Sequence, residues 1–527
     1  MSRGSKWQGM FSRVGLALSQ GSPSEARRSF TKGMEEPLES DEEELSFLAR
    51  LAVLAAQYGE SRLALSWVSR HESRRGQAGE VPESLSGAYE AVRIAVALAA
   101  KDHGALEDKL PRINWRDLPP MPWIFNLRLL LAVRRNDRTE FLGLLRRPSP
   151  DVPDPPRFTE PYDRGNTLRI LMLHFFAAGR WQRGIACSRA AMRELAKDRA
   201  IDARLKEVEI LGASGTAAYQ RGDLETAEIY LDEAVEGAAA LGHAFYVAKF
   251  QHELAIVYAD RDEHARAEEL LLQVAANAKK RGGRRAVDEF LRAGALLSAS
   301  GVALDAGDAK KARKYLGGAG RLLALRDHPR YRGHYHLCRG RLVAALKGDM
   351  KEAFDELDQA ERCFRATGEG DLVGLAKVRL YRGKLHLKLR DVRKALSEAY
   401  ECARAAHASG FQPIESSCVL FKSRLLLERQ AVPSETLYEE ILRSLGAVRN
   451  QVALFKVVAN LYLYSWDLGE HVEWTDYHLR QINRMGEILD QGTFRRLYDK
   501  HVVRGVVRRL MARTLGVDPS TLEPEEV

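Results

Sequence analysis

Five cysteines in 527 residues are too few and too scattered to staple a fold. Cys187, Cys338, Cys363, Cys402 and Cys418 are odd in number, widely spaced and in no CxxC pair. That excludes a disulfide framework and a zinc module, so the five read as small buried or half-buried residues in a reducing compartment. Long apolar runs are missing too. The longest, such as Ile94–Ala100 and Leu129–Val133, fall far short of the roughly 20 residues that cross a bilayer. At the start, Arg3 and Lys6 precede a weakly apolar stretch that Arg13 interrupts, and no small-residue cleavage site follows. No signal peptide is expected, and the expected location is cytoplasmic.

The sequence is equally poor in catalytic motifs. There is no GxxxxGK[ST], GxSxG or HExxH; Gly282-Gly283 followed by Arg284-Arg285 reads as a turn between repeats. His328, His334, His336 and Cys338 form the one candidate metal cluster. On a helix His334 and Cys338 share a face while His336 points away, so no metal is expected. No catalytic residue and no cofactor is assigned, and the chain is not expected to be an enzyme. Negative charge is also in deficit: the net charge is +9 and the pI near 9.2. This mild excess favours acidic partners without by itself implying nucleic acid. Arginine far outnumbers lysine, and alanine and leucine abound, a bias that suggests a GC-rich, bacterial genome.

What the chain does have is a repeat. Five segments share a turn of Gly-Asp type, then a small residue, a larger apolar one four later and a small one three later. Gly222-Asp223 leads to Ala227, Leu231 and Ala234; Asp262-Glu263 leads to Ala267, Leu271 and Val274. Gly307-Asp308 leads to Ala312, Leu316 and Ala319; Gly348-Asp349 to Ala353, Leu357 and Ala360; Arg390-Asp391 to Ala395, Ala399 and Cys402. Offsets of four and three lie on one helix face, where small side chains let a second helix approach closely. Glycine relieves the backbone where one helix ends, and aspartate suits the start of the next. Each unit is therefore a helical hairpin that must stack on its neighbours to bury its other face.

Over roughly residues 165–410 this pattern resembles the tetratricopeptide repeat. The small–large–small signature of the second helix matches that family, and Leu254, Ala255 and Tyr258 fit its first-helix Leu, small and Tyr positions, as Gly215 and Gly383 fit its small position. The family's Trp is generally absent. From Ala227 to Ala267, Ala312, Ala353 and Ala395 the steps are 40, 45, 41 and 42 residues, longer than the family's usual period of about 34. Such spacing is similar to that of regulatory and scaffold arrays: the Pins family, kinesin light chains and the sensor arms of bacterial transcription activators. The expected fold is all-α, an α-solenoid of stacked helix-turn-helix repeats.

Fainter copies extend the array. Leu51–Ala56 and Gly59 precede Ala64 and Val68; Asn136-Asp137 precedes Phe141 and Leu145; Gly179 precedes Gly184; Leu461–Leu468, Gly469 and Trp474 suggest a degenerate unit. Prolines crowd Pro148 to Pro161 and forbid helix there. The expected organisation is an N-terminal extension (1–42), an N-terminal repeat array (43–146), a proline-rich linker (147–164), a main array (165–490), a basic capping helix (491–517) and an acidic tail (518–527). Trp7, Met10, Phe11, Val14 and Leu18 are spaced for an amphipathic helix, either a cap or a membrane- or partner-binding peptide. Lys500, Arg504 and Arg508 recur every four residues, flanked by Arg509 and Arg513, opposite Val503, Val506, Val507 and Leu510. That helix caps the array or contacts nucleic acid or an anionic membrane.

In tetratricopeptide arrays the first helices line the concave surface, and here those helices are basic. Tyr331–Lys347 and Leu372–Arg390 carry no Asp or Glu, whereas Asp355, Glu356, Asp358 and Glu361 crowd a second helix. The candidate recognition residues are Arg339, Arg341, Lys377, Arg379, Arg382, Lys384, Lys388, Lys422 and Arg424. Either they solvate a helix face while their stems cover apolar neighbours, or they bind a carboxylate- or phosphate-bearing segment. The expected function is a non-catalytic scaffold or adaptor holding an acidic or extended protein segment. A signal-responsive regulator that binds a peptide or small molecule and controls an effector is the alternative. RNA binding ranks third, because Tyr331, Tyr335 and Tyr381 are few for base stacking.

Overall fold

A computed structural model describes residues 3–33, 41–78, 83–100, 121–135, 137–145, 160–280, 286–324, 328–346, 348–367, 371–428, 451–468, 472–489 and 491–507, with scattered positions between 106 and 118. The proline-dense stretch up to residue 159, Asn136, Gly282-Gly283, Gly368, Gly469, Arg508, Arg509, Leu510, Arg513 and the acidic tail lie outside the described residues, as do the side chains of Trp7, Arg424 and Trp474. The described residues form helices joined by short turns, with no strand among them. No described helix is long and apolar enough to cross a membrane.

In chain order the helices are α1 (Arg3–Ser19), α2 (Pro23–Gly33), α3 (Asp41–Gln57), α4 (Ser61–Ala78), α5 (Glu83–Ala100), α6 (Pro122–Arg134), α7 (Arg138–Leu145), α8 (Pro161–Ala177), α9 (Trp181–Leu195), α10 (Ile201–Gln220), α11 (Leu224–Ala240) and α12 (Ala244–Asp260). They continue with α13 (His264–Lys280), α14 (Ala286–Asp305), α15 (Ala309–Leu323), α16 (Pro329–Ala345), α17 (Met350–Arg365), α18 (Leu372–Lys388), α19 (Val392–Ser409), α20 (Gln412–Glu428), α21 (Gln451–Leu468), α22 (Val472–Met485) and α23 (Gln491–Leu497), which runs into a π-helical turn at Tyr498–Val503. The chain divides into two compact units: residues 1–214 with 230–250, and residues 215–229 with 251–527. In the first, α1 packs on α2, α3 on α4 and α8 on α9; in the second, α14 packs on α15, α16 on α17, α18 on α19 and α21 on α22. This is the all-α, stacked-hairpin solenoid that the repeat implies.

The local causes are those of the sequence pattern. Ala227, Leu231, Ala234, Ala267, Leu271, Val274, Ala312, Leu316, Ala319, Ala353, Leu357 and Ala360 are all buried. At the seam between α16 and α17, a Cβ added to Gly340 would stand 3.0 Å from the Ala353 carbonyl oxygen, so glycine allows the close approach without displacing its neighbour. Each fully buried leucine of the seam contributes about 1.5–3 kcal/mol. Asp223, Asp308, Asp349 and Asp391 accept hydrogen bonds from the backbone N–H of Thr226, Lys311, Lys351 and Lys394, capping the second helices as expected. Pro122, Pro161 and Pro329 open α6, α8 and α16, where a missing N–H costs nothing.

α1 buries Met10, Phe11, Val14 and Leu18 within the first unit. One expectation needs correcting. Cys402 on α19 and Cys418 on α20 form a disulfide, with Cα atoms 5.7 Å apart. Both are seam positions of adjacent packed helices, fully buried among Ala395, Ala399, Ile414 and Phe421. Close helix packing brings together two cysteines whose spacing in sequence matches no motif. Cys187, Cys338 and Cys363 remain thiols.

Candidate partner-binding surface

α18 shows how the basic first helices divide their charge. Its N-cap, Asp371, accepts from the Gly374 N–H and fixes where the helix begins. From that start Arg379 and Arg382 fall on the side facing the second helices α17 and α19. Arg379 pairs with Glu361 at 2.9 Å and Glu398 at 3.1 Å. Arg382 pairs with Asp358 at 2.5 Å, Glu361 at 2.7 Å and Glu398 at 3.6 Å, and is buried. Arg339 on α16 does the same, bridging Glu352 at 3.3 Å and Glu356 at 3.1 Å. Burial alone would raise the Glu361 carboxyl; the hydrogen bonds and charge of Arg382, with help from Arg365 and Arg379, hold it below the usual range instead. These three arginines are the seam's counter-ions.

Lys377, Tyr381, Lys384 and Lys388, at helical spacing, occupy another side of α18. Arg341 of α16 lies over the Tyr381 ring at 4.3 Å, with Lys384 at 4.8 Å from the same ring. Arg341 also pairs with Asp305, at the end of α14, at 2.6 Å. Lys388 donates to the Ala344 carbonyl at 3.3 Å. Burial pushes the Tyr381 hydroxyl well up, against the pull of Arg341. Burial likewise drives His334 down to about 3, reinforced by Lys377 and Arg330. Lys422 lies 4.9 Å from the Tyr400 ring of the second helix α19. Of the candidate metal cluster, His336 bonds Glu356 at 2.8 Å, and the Cys338 thiol donates to the Leu297 carbonyl at 3.7 Å.

Sequence reasoning missed the acidic continuation of this wall. Tyr219 donates to Asp260 at 2.8 Å, and Thr216 to Glu253 at 2.5 Å. His252 shares a hydrogen bond of 3.0 Å with Ser298. Burial raises the Asp260 carboxyl, while Tyr219, Lys456 and Lys377 pull it down. Tyr219 also meets the ring of Phe411, just before α20, at 5.5 Å. Within the second unit the end of α10, at Tyr219, thus meets the start of α20. The wall runs from acidic (Glu253, Asp260, Asp305) to basic (Arg341, Lys377, Lys384, Lys388). The missed signal was position: Asp260 and Asp305 end their first helices, and charge counted only over α16 and α18 leaves them out.

The first unit has its own buried polar network, also unforeseen. Arg50 on α3 pairs with Asp198 at 2.9 Å and Asp202 at 2.8 Å and lies 3.9 Å from the Tyr162 ring. Glu209 accepts from Gln57 at 2.9 Å, Lys206 at 3.1 Å and Tyr246 at 2.6 Å, and pairs with Arg169 at 3.1 Å. Its burial would raise it, but Lys206 and Arg169 bring it down to about 2.

No protein-family model matches the chain, and no curated protein sequence matches it. Its backbone is similar to solved tetratricopeptide-type structures. One is a Rap protein complexed with competence and sporulation factor (12% identity, 77% of this chain and 99% of that one, TM-score 0.50). Others are NprR in complex with its cognate peptide NprX (11%, 76% and 99%, TM-score 0.49) and yeast Tom70 (11%, 97% and 98%, TM-score 0.40). At these identities the likeness concerns the fold: a tetratricopeptide-like α-solenoid.

Proposed function

We propose that this chain is a non-catalytic scaffold or adaptor that holds an acidic, extended protein segment on the first-helix wall of its second unit. The observation that carries the reading is the row Lys377, Lys384 and Lys388 on the Tyr381 side of α18, beside Arg341, which Asp305 already pairs; the row is set apart from the seam arginines that are consumed by Glu361 and Glu398. Lys377 is half-buried while Lys384 and Lys388 are exposed, so this side of α18 offers ammonium groups to solvent, where they can form charge-assisted hydrogen bonds to carboxylates. We keep Arg339, Arg379 and Arg382 out of the recognition set because seam carboxylates already pair them. The Rap and NprR structures were solved with peptides or factors bound, so a signal-responsive regulator that takes a peptide on this wall is the second reading. We place the activity in the cytoplasm.

The test is fluorescence anisotropy with a labelled glutamate-rich decapeptide at low salt. Lys377→Glu, Lys384→Glu and Lys388→Glu combined should weaken binding at least about tenfold, since like charge replaces attraction at three points. Equal affinity for wild type and the triple variant would sink the proposal.

A further inference from the structure

The repeat grammar loses its glycine at two turns, Arg390-Asp391 and, with the richer set of contacts, Asp262-Glu263. Where the turns at 222, 307 and 348 place glycine before aspartate, the latter has Asp262 before Glu263. Asp262 nevertheless adopts the left-handed conformation, with φ of 62°. Aspartate tolerates that region better than most residues, but glycine would serve the backbone at no steric cost. Arg390 holds the same conformation at its own turn, with φ of 60°, so it is the side-chain contacts of Asp262 that set this turn apart.

Its carboxylate collects lysine and histidine side chains, most of them from distant parts of the chain. Lys456 on α21 stands 3.3 Å away, Lys500 3.4 Å and His501 3.3 Å, the last two in the π-helical turn. His264, from its own helix, is 3.5 Å away. Glu263 beside it takes Arg496 of α23 at 3.2 Å, and Arg496 also donates to the Arg261 carbonyl at 3.2 Å. The Asp262 side chain is only 8% exposed, while those of Lys456, Lys500 and His501 are 25%, 40% and 24% exposed. Lys456 additionally acts on Asp260, the acidic end of the wall. The C-terminal helices thus return to a turn at the wall's acidic end, held there by partly solvated charges.

We propose that Asp262 and Glu263 form a latch that holds α21, α23 and the π-helical turn over the acidic end of the first-helix wall, and that the latch opens without unfolding the repeats. Partly exposed ion pairs are individually weak and are screened by salt, which suits a reversible contact. The extra cations on a single carboxylate explain why aspartate is kept where glycine would fit. Opening the latch withdraws Lys456 from Asp260 and exposes that end of the wall. The consequence for partner capture rests on the function proposed above; the latch itself does not.

Hydrogen exchange followed by mass spectrometry on the full chain separates the two. Asp262→Gly suits the turn and removes the latch; Lys500→Ala with His501→Ala removes it from the other side. Both variants should speed exchange of amides in 452–468 and 491–507 at least about tenfold, while α12 and α13 exchange as in wild type. Wild type in about 1 M salt, where the screening length falls to about 3 Å, should move the same way. Wild-type exchange rates in the C-terminal helices of Asp262→Gly would overturn the latch, and so would acceleration confined to α12 and α13. Because no partner is present, failure of the peptide-binding assay leaves this result standing, and the reverse holds equally.

Discussion

Asp163 on α8 is a buried carboxylate with little water around it. Burial is the main reason its carboxyl rises to about 6; Glu160 and Asp202 push the same way, and Arg50 opposes them. The folded state therefore binds this proton more tightly than the unfolded chain. The resulting stabilisation is complete below about pH 4 and is lost as pH rises through about 6. Asp163→Asn should raise stability at pH 8 by about 1–3 kcal/mol and change little near pH 4, because each tenfold change in proton affinity is worth about 1.4 kcal/mol. Urea melts at both pH values check this; a variant no more stable than wild type at pH 8 contradicts it. Ala267 tests packing at the same scale. It is fully buried at a hairpin seam, so Ala267→Leu should cost about 1–3 kcal/mol through overpacking. A melt identical to wild type would mean that the seam has been misplaced.

At the scale of the element, α18 explains how far sequence can take the reader. Its position, its partner helix and its seam followed from Gly383 and the repeat pattern of α19 at Ala395, Ala399 and Cys402, because those are local, periodic signals. A charge count, however, treats Arg379, Arg382 and Lys384 alike. Only packing shows that Arg382 points between Asp358 and Glu361 while Lys384 lies over Tyr381. The acids that claim Arg382 sit 24 and 21 residues earlier, a distance no helix periodicity encodes. The same blindness hid Arg50 and Asp202, 152 residues apart, and the Cys402–Cys418 bond. Asp262-Glu263 read in sequence as one of the five repeat turns, and what the Asp262 side chain meets lies some 240 residues away in His501. Arg382→Ala should therefore cost about 2–3 kcal/mol, below the usual penalty for halving a buried pair because Glu361 keeps Arg365 and Arg379.

For the molecule as a whole, stacked hairpins couple to their neighbours, so damage should stay local. Ala353→Leu should overpack the α16–α17 seam and produce a first thermal transition confined to adjoining repeats of the second unit. Hydrogen exchange would localise it, and a single cooperative transition with unchanged shape would count against nearest-neighbour coupling. The central claim is that one basic helix carries two kinds of cation, one for the seam and one for a partner. The most direct measurement sets Arg382→Ala beside Lys384→Ala, each assayed for melting temperature and for affinity to the glutamate-rich peptide. The account predicts that Arg382→Ala melts several degrees lower yet binds as wild type, while Lys384→Ala melts as wild type, since a surface charge contributes under about 1 kcal/mol, yet binds several-fold more weakly. The reverse pattern, or a Lys384→Ala variant that binds like wild type, would contradict it.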